Sequence, residues 1–146
     1  EKACNQVNAL ADKWGRFVEY FVSPGIPKVF KARGIALVSV HRRVEAKRDG
    51  KEIEVDILGV NDEYVVAVEA KSTLGVDDVK DHLNRLEIFK DVLTEYKDRK
   101  VIGAVTGIVM EENVIKFAYR KGLFILGQSG DTLVILNDDK FKPKIW

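Results

Sequence analysis

Charged side chains interrupt two neighbouring segments that otherwise have the composition of buried strands. Asp56 lies inside the apolar run of residues 52–58, and Glu69 and Lys71 lie inside the run of residues 64–71. Burying carboxylates or an ammonium group without partners is costly. The chain must therefore gather these groups, either around a divalent cation or in a network of salt bridges.

The spacing between the two segments predicts which charges face each other. If the two residues after Asn61 form the loop of a hairpin, Asn61 pairs with Tyr64, and counting back places Asp56 directly across from Glu69. Cross-strand neighbours have Cβ atoms about 5 Å apart, where like charges are destabilising unless a positive charge lies between them. A hard cation would supply that charge.

The same register assigns the neighbouring residues to faces of the sheet. Lys71 falls on the face of Glu69, while Ala70 turns its side chain away and keeps its carbonyl available as a ligand. Glu54 would lie across from Lys71, where we expect an ion pair. The Asp49-Gly50 turn places Arg43 opposite Asp56, as either a phosphate contact or a counter-charge for the acids.

Hydrophobic periodicity predicts one α/β domain over residues 1–146, with a mixed sheet covered by helices. Trp14, Phe17 and Phe89 are predicted to lie on the buried stripes of their helices, and His82 is predicted to be a packing residue. The predicted helices cover residues 7–21, 27–32, 76–96 and 111–121, and the predicted strands cover residues 35–47, 51–60, 64–72, 101–109, 123–126 and 132–136.

Composition narrows the class of protein without defining a function. The chain is 46% apolar and 32% charged, which is ordinary for a globular domain. The single cysteine, Cys4, suits a reducing cytoplasm, and no apolar run approaches membrane-spanning length. The net charge of +1 means that any contact with nucleic acid must come from a local patch. Because the chain begins at Glu1, we expect a missing upstream segment.

An Asp followed on the next strand by Glu-x-Lys resembles the signature of the PD-(D/E)xK nuclease superfamily, which has the restriction-endonuclease-like fold. The resemblance covers roughly residues 10–136, and is strongest in Trp14-Gly-Arg-Phe-Val-Glu19, Glu54-Val-Asp-Ile-Leu-Gly-Val60 and Val68-Glu-Ala-Lys-Ser72. These stretches look like a bacterial and archaeal branch of uncharacterised nuclease-like domains. Val55 stands where the name of the superfamily has Pro, a position without a ligand role.

The resemblance implies an αβββαβ core and metal-dependent hydrolysis of the phosphodiester bonds of DNA. Asp56, Glu69 and the Ala70 carbonyl would hold Mg²⁺ or Mn²⁺, and Glu19 would be an outer ligand. Lys71 would position or deprotonate the attacking water. Oxygen ligands suit these ions and argue against zinc. The expected catalytic residues are thus Asp56, Glu69, Lys71 and Glu19.

A basic hairpin provides candidate contacts to nucleic acid. Residues 41–51 contain five Lys or Arg against two acids, which suits a clamp on a phosphate backbone or a solvated sheet edge. The five basic residues are Arg42, Arg43, Lys47, Arg48 and Lys51. DNA is the expected partner, RNA is not excluded, and a homodimer is compatible with two sites acting on a duplex.

Two other functions remain open on sequence grounds. The first is a catalytically silent module that binds nucleic acid or protein and keeps the acidic cluster as a remnant. The retention of all three motif residues favours the enzyme over this module. The second is a phosphohydrolase acting on a small phosphate ester, although the chain has no glycine-rich phosphate loop or histidine cluster to support it.

Overall fold

A computed structural model describes residues 16–146 as a six-stranded sheet with helices on both faces. Residues 16–22 form the helical segment α1, which runs through a one-turn 3-10 segment, Ser23–Gly25, into α2. The other helices and the strands are α2 Ile26–Lys31, α3 Val76–Val92, α4 Glu112–Arg120, β1 Ser39–Arg48, β2 Lys51–Val60, β3 Tyr64–Leu74, β4 Lys100–Met110, β5 Phe124–Ser129 and β6 Thr132–Ile135.

The strands lie in the sheet in chain order. Strands β1, β2 and β3 form an antiparallel meander, after which α3 crosses over so that β4 runs parallel to β3. Strand β5 is parallel to β4, and β6 is antiparallel to β5. The mixed α/β fold and the αβββαβ order of its core confirm the predicted fold class.

Two turns fix the register of the meander. Asn61 donates its backbone N–H to the Tyr64 carbonyl at 2.9 Å, and its side chain accepts the N–H of Tyr64. At the other turn Asp49 and Gly50 both have positive φ, as a tight turn with a right-handed twist requires. Both predicted registers are confirmed, because β2 pairs with β3 and β1 pairs with β2 in the counted alignment.

The sheet separates two apolar cores. One core holds Val65, Ala67 and Val105 beneath α3 and α4, and the other holds Val66, Val68 and Ile102 beneath α1 and α2. Since successive residues of β3 serve opposite cores, the strand is buried on both faces, as is typical of a central strand in an α/β fold.

A lack of side-chain bulk brings α3 close to the sheet. Gly103 of β4 lies beneath the helix, and a Cβ built there would be 2.5 Å from Leu86 Cδ1 and 2.6 Å from Leu123 Cδ2. Both leucines are buried. The glycine therefore permits a helix position that any larger residue would obstruct.

The meander changes its geometry at the level of Arg43 and Asp56. Arg43 has a φ of 55°. In β2 the alternation of side chains between the two faces of the sheet shifts by one residue at this level. Val55 and Leu58, an odd and an even position, therefore share one core, while Ile57 belongs to the other. The ladder between β2 and β3 ends at the Ile57–Val68 pair. Beyond that pair β3 continues along β4 while β2 diverges.

Some predicted element boundaries and burials were wrong. Phe17, which was predicted to be buried, is 55% exposed, because α1 turns Val18, Glu19 and Val22 to the interior. Strand β1 begins at Ser39 rather than residue 35. Helix α3 ends at Val92, since Leu93 leaves helical geometry and a separate 3-10 turn follows. The predictions for Cys4 and Trp14 fall outside the described residues.

Candidate active site

Three acidic residues from three different elements meet at the point where β2 and β3 diverge. Glu19 comes from α1, Asp56 from β2 and Glu69 from β3, and all three line one cavity. Glu19 and Glu69 are each only 5% exposed. The structure therefore brings together the three carboxylates that the sequence proposed for one site.

Burial and the proximity of these carboxylates change their affinity for protons. Burial, and then Asp56, raise the pKa of Glu69 to about 8, and the same causes raise the pKa of Glu19 to about 7. Burial also opposes ionisation of Asp56, but hydrogen bonds from Glu69, the Ala70 N–H and Glu19 outweigh it and hold the Asp56 pKa below its ordinary value. Without a bound cation, the cluster therefore holds protons more tightly than separate exposed carboxylates would.

A backbone hydrogen bond fixes the Asp56 carboxylate. Its Oδ2 accepts the Ala70 N–H at 2.9 Å, just beyond the last pair of the β2–β3 ladder. The side chain thus replaces the backbone acceptor that β3 loses where the strands separate.

Cations surround the acidic cluster. Arg43 Nε lies 3.1 Å from Glu19 Oε2, and Arg43 Nη1 lies 3.9 Å from Glu54 Oε1. Glu54 thus approaches Arg43, and the expected ion pair with Lys71 is not among the salt bridges of residues 16–146. Lys71 is exposed, and its charge acts to lower the pKa of Glu69. In this arrangement Arg43 serves as a counter-charge, one of its two predicted roles.

Helix α3 contributes a hydrogen-bonded chain that the sequence did not reveal. Arg85 Nη1 donates to Glu69 Oε2 at 2.6 Å and to His82 Nδ1 at 2.8 Å. His82 is fully buried, and its Nε2 donates to the Ala67 carbonyl at 2.9 Å. Burial, and then the charge of Arg85, lower the His82 pKa to about 4, so the ring is neutral at physiological pH. The prediction that His82 is a packing residue missed this polar role.

The acids and cations line an open cavity of about 370 Å³. Such a volume accommodates a hydrated ion together with a phosphate group. The residues that line it are Glu19, Arg43, Glu54, Asp56, Glu69, Ala70, Lys71, Ser72, Asp78, Asp81 and Arg85.

The oxygen atoms that line the cavity are the kind of ligand that a hard divalent cation requires. Within residues 16–146, no group of three or more His, Cys, Asp or Glu side chains is placed to hold a metal ion. Mg²⁺ retains several waters and is commonly held by only one or two carboxylates. The adjacent carboxylates of Asp56 and Glu69, with Ala70 lining the same cavity, satisfy this smaller requirement. The residues therefore fit Mg²⁺ or Mn²⁺ held largely through water.

Most basic residues of the β1–β2 hairpin have partners within the chain. The guanidinium of Arg42 lies 5.0 Å from the ring centre of Tyr20, and Arg48 Nε donates to the Val92 carbonyl at 3.1 Å. Lys51 Nζ pairs with Asp91 at 3.0 Å, which ties the hairpin tip to the end of α3. Lys47 is exposed. The role of this hairpin in binding nucleic acid stays a prediction.

The fold defines this chain as a mixed α/β protein with an acidic cavity where β2 and β3 diverge. The chain belongs to the family described as Domain of unknown function (DUF8196), whose model matches residues 30–134. No curated protein matches the sequence significantly.

Two solved structures resemble the chain. The crystal structure of the protein of unknown function AF1548 is 17% identical, with a TM-score of 0.51 over 85% of this chain and 62% of that one. The small subunit (R.BspD6I2) of the heterodimeric restriction endonuclease R.BspD6I is also 17% identical, with a TM-score of 0.43 over 77% of this chain and 62% of that one. The chain thus spans about three fifths of the length of each.

Across the described part of the chain, no helix combines the length and the apolar character that crossing a membrane requires. The cytoplasmic location suggested by the single cysteine stays a prediction.

Proposed function

We propose that this protein is a Mg²⁺- or Mn²⁺-dependent nuclease that hydrolyses phosphodiester bonds of DNA. The observation that carries the proposal is the convergence of Glu19, Asp56 and Glu69 from three elements into one open cavity that Lys71 also lines. The neighbouring arginines do not fully offset the cluster, because burial and Asp56 still raise the pKa of Glu69 to about 8. Such a site gains stability when a divalent cation replaces the shared protons.

Asp56, Glu69 and the Ala70 carbonyl would hold the ion, with Glu19 as an outer ligand. When bound, the ion would polarise the phosphoryl oxygen and stabilise the charge that develops on it. The Ala70 N–H keeps the Asp56 carboxylate oriented, which reduces the entropy lost on binding.

Lys71 would act on the attacking water. Its exposed side chain lines the same cavity as Glu69, where the ammonium would orient a water molecule and offset negative charge in the transition state. Because no hydrogen bond or salt bridge of residues 16–146 engages its ammonium, Lys71 can reach a substrate without losing one.

DNA is the substrate we propose, with RNA as an outcome of the test. Lys47 on β1 would contact the phosphate backbone on one side of the cavity, along with Arg42, Arg43, Arg48 and Lys51 to the extent that their internal partners release them. Such contacts predict binding that weakens steeply as salt rises. A homodimer, which would place two cavities on one duplex, stays a prediction.

The proposal is tested by incubating linear, single-stranded, flapped and four-way-junction DNAs, and matching RNAs, with the protein and Mg²⁺ or Mn²⁺. The variants are Asp56→Asn and Lys71→Met, with Lys97→Met as the matched control at an exposed lysine remote from the cavity. We expect both site variants to lose at least about a hundredfold in rate while the control keeps the wild-type rate. Cleavage that survives both site substitutions would refute the assignment.

A catalytically silent binding module is the second candidate. It is favoured by the ion pairs of Arg43 with Glu19 and of Arg85 with Glu69, which already offset two of the acids. A well-folded protein that binds DNA equally in EDTA and Mg²⁺, and shows no Mg²⁺-dependent rise in melting temperature, would support this module over the enzyme.

A further inference from the structure

The guanidinium of Arg85 has hydrogen-bond capacity that the protein does not use. An arginine carries five N–H donors in a planar fork. Both Nη1 hydrogens are engaged, one by Glu69 and one by His82. Within residues 16–146, Nε and Nη2 have no hydrogen-bond partner. Three donors of a partly buried cation therefore remain available.

Those donors belong to a side chain that lines the acidic cavity. The Arg85 side chain is 22% exposed, and it shares the cavity wall with Lys71 and Ser72. A phosphate entering a cavity rich in carboxylates is repelled unless cations meet it. A guanidinium fork matches two phosphate oxygens, whereas an ammonium acts as a point charge.

The Arg85 side chain is also held in place before any ligand binds. His82 donates to the Ala67 carbonyl through Nε2, so its Nδ1 is left as an acceptor facing Arg85. The hydrogen bonds thus run from the Ala67 carbonyl through His82 and Arg85 of α3 to Glu69, which lies two residues after Ala67 on β3. A long, flexible side chain thereby loses its rotamer freedom during folding and not during binding, which favours affinity.

We propose that Arg85 is a phosphate-binding residue of this cavity, held in position by His82, and that its ligand is a phosphodiester group next to the bond that is cleaved. The inference rests on the proposed nuclease function and adds a residue of α3 to it. Under this proposal Glu69 has two partners, an ion on one side and Arg85 on the other. Arg85 would thus link the acidic cluster to the substrate.

Dimethyl phosphate, the smallest phosphodiester, provides the first test. It is titrated into the Mg²⁺-loaded wild-type protein while the Nε–H signals of the arginines are followed by NMR. The Arg85 signal is assigned by its loss in Arg85→Lys. We expect it to shift saturably, with that of Arg120 at the exposed end of α4 unchanged. An Arg85 signal that does not move as the ligand reaches tens of millimolar would overturn the proposal.

Steady-state cleavage of the best DNA from the panel provides the second test. Arg85→Lys keeps a positive charge beside Glu69 and loses the fork, and Arg120→Lys is the matched control. We expect Arg85→Lys to raise KM at least about tenfold, as loss of a bidentate contact predicts, while the Mg²⁺-dependent rise in melting temperature is retained. An unchanged KM would count against the proposal, because a residue that only supports Glu69 would alter metal binding instead.

The two proposals fail in different ways. If the Arg85 signal titrates with dimethyl phosphate but the wild-type protein cleaves no polymer in the panel, the phosphate site stands and the nuclease does not. If the protein cleaves DNA and Arg85 neither titrates nor affects KM, the nuclease stands and the role of Arg85 is refuted.

Discussion

The Ala70 N–H donates to Oδ2 of Asp56 at 2.9 Å, where strands β2 and β3 cease to pair. One residue thus replaces a missing backbone acceptor and points its carboxylate into the cavity. The geometry of the candidate site is therefore part of the hydrogen bonding of the sheet.

Amide hydrogen exchange at Ala70 should report this bond directly. We expect Asp56→Ala to speed exchange at Ala70 by the equivalent of about 1–3 kcal/mol, because a buried donor loses its acceptor. Asp56→Asn retains an oxygen and should preserve most of the protection. Equal exchange in the two variants would mean that the Asp56 side chain does not satisfy this amide.

The stability of the metal-free protein should fall as pH rises through the neutral range. The folded-state pKa of Glu69, about 8, exceeds its ordinary value of 4.5, so the stability it contributes is complete below about pH 4.5 and is lost as pH rises through 8. Denaturant unfolding in EDTA between about pH 4 and about pH 8.5, values that bracket this window, measures the effect.

Two variants make that measurement specific. Glu69→Gln should flatten the decline, since it cannot ionise, whereas Glu95→Gln at an exposed position should not. Added Mg²⁺ should also flatten the decline in the wild-type protein by replacing the protons. Parallel pH profiles for wild type and Glu69→Gln would contradict the raised pKa.

His82 should give the opposite dependence on pH. Its folded-state pKa of about 4 lies below its ordinary value of 6.5, so its contribution to stability is present above pH 6.5 and is lost as pH falls through 4. His82→Gln can donate to Ala67 and accept from Arg85 without titrating, and it should therefore lose less stability in acid than the wild-type protein.

The second histidine of the chain provides the control for this comparison. His41 is exposed on β1, where its Nε2 lies 3.0 Å from Ser39 Oγ. We expect His41→Gln to follow the wild-type acid profile. If His82→Gln were as sensitive to acid as the wild-type protein between pH 6.5 and pH 4, the assigned burial of a neutral ring would be wrong.

Gly103 should prove essential to the placement of α3. Gly103→Ala puts a methyl group against buried Leu86 and Leu123, and we expect a loss of about 1–3 kcal/mol in unfolding free energy. Combining it with Leu86→Ala makes room, so the double variant should be more stable than the sum of the two single losses. Additive losses, measured by denaturant unfolding, would show that the helix does not press on this glycine.

The sequence predicted the parts of the site that depend on local rules. The turn at Asn61 and the alternation of strand residues were sufficient to place Asp56 beside Glu69, and the Asp49-Gly50 turn placed Arg43 opposite Asp56. Arg85 escaped prediction because its contact with Glu69 depends on how closely α3 lies over the sheet. A signal was nevertheless present, since Arg85 follows His82 by three residues and lies on the same side of that helix.

The helix α1 shows the opposite outcome. Apolar spacing alone predicted a buried stripe containing Phe17, yet the helix turns Glu19 inward beside Val18. Periodicity cannot anticipate that a carboxylate will be buried, because the partners that make burial tolerable, Arg43 and Asp56, come from distant positions in the chain.

Because strand pairing places the acids of the site, insertions and deletions in these strands affect the site differently according to their position. Lengthening the connection at Asp49-Gly50 would leave the acids in place, because that turn lies at the far end of the hairpin. Deleting one residue among positions 57–60 would rotate Asp56 to the opposite face of the sheet and remove it from Glu69. Insertions and deletions should therefore accumulate in the connections and be excluded from the four residues between Asp56 and Asn61.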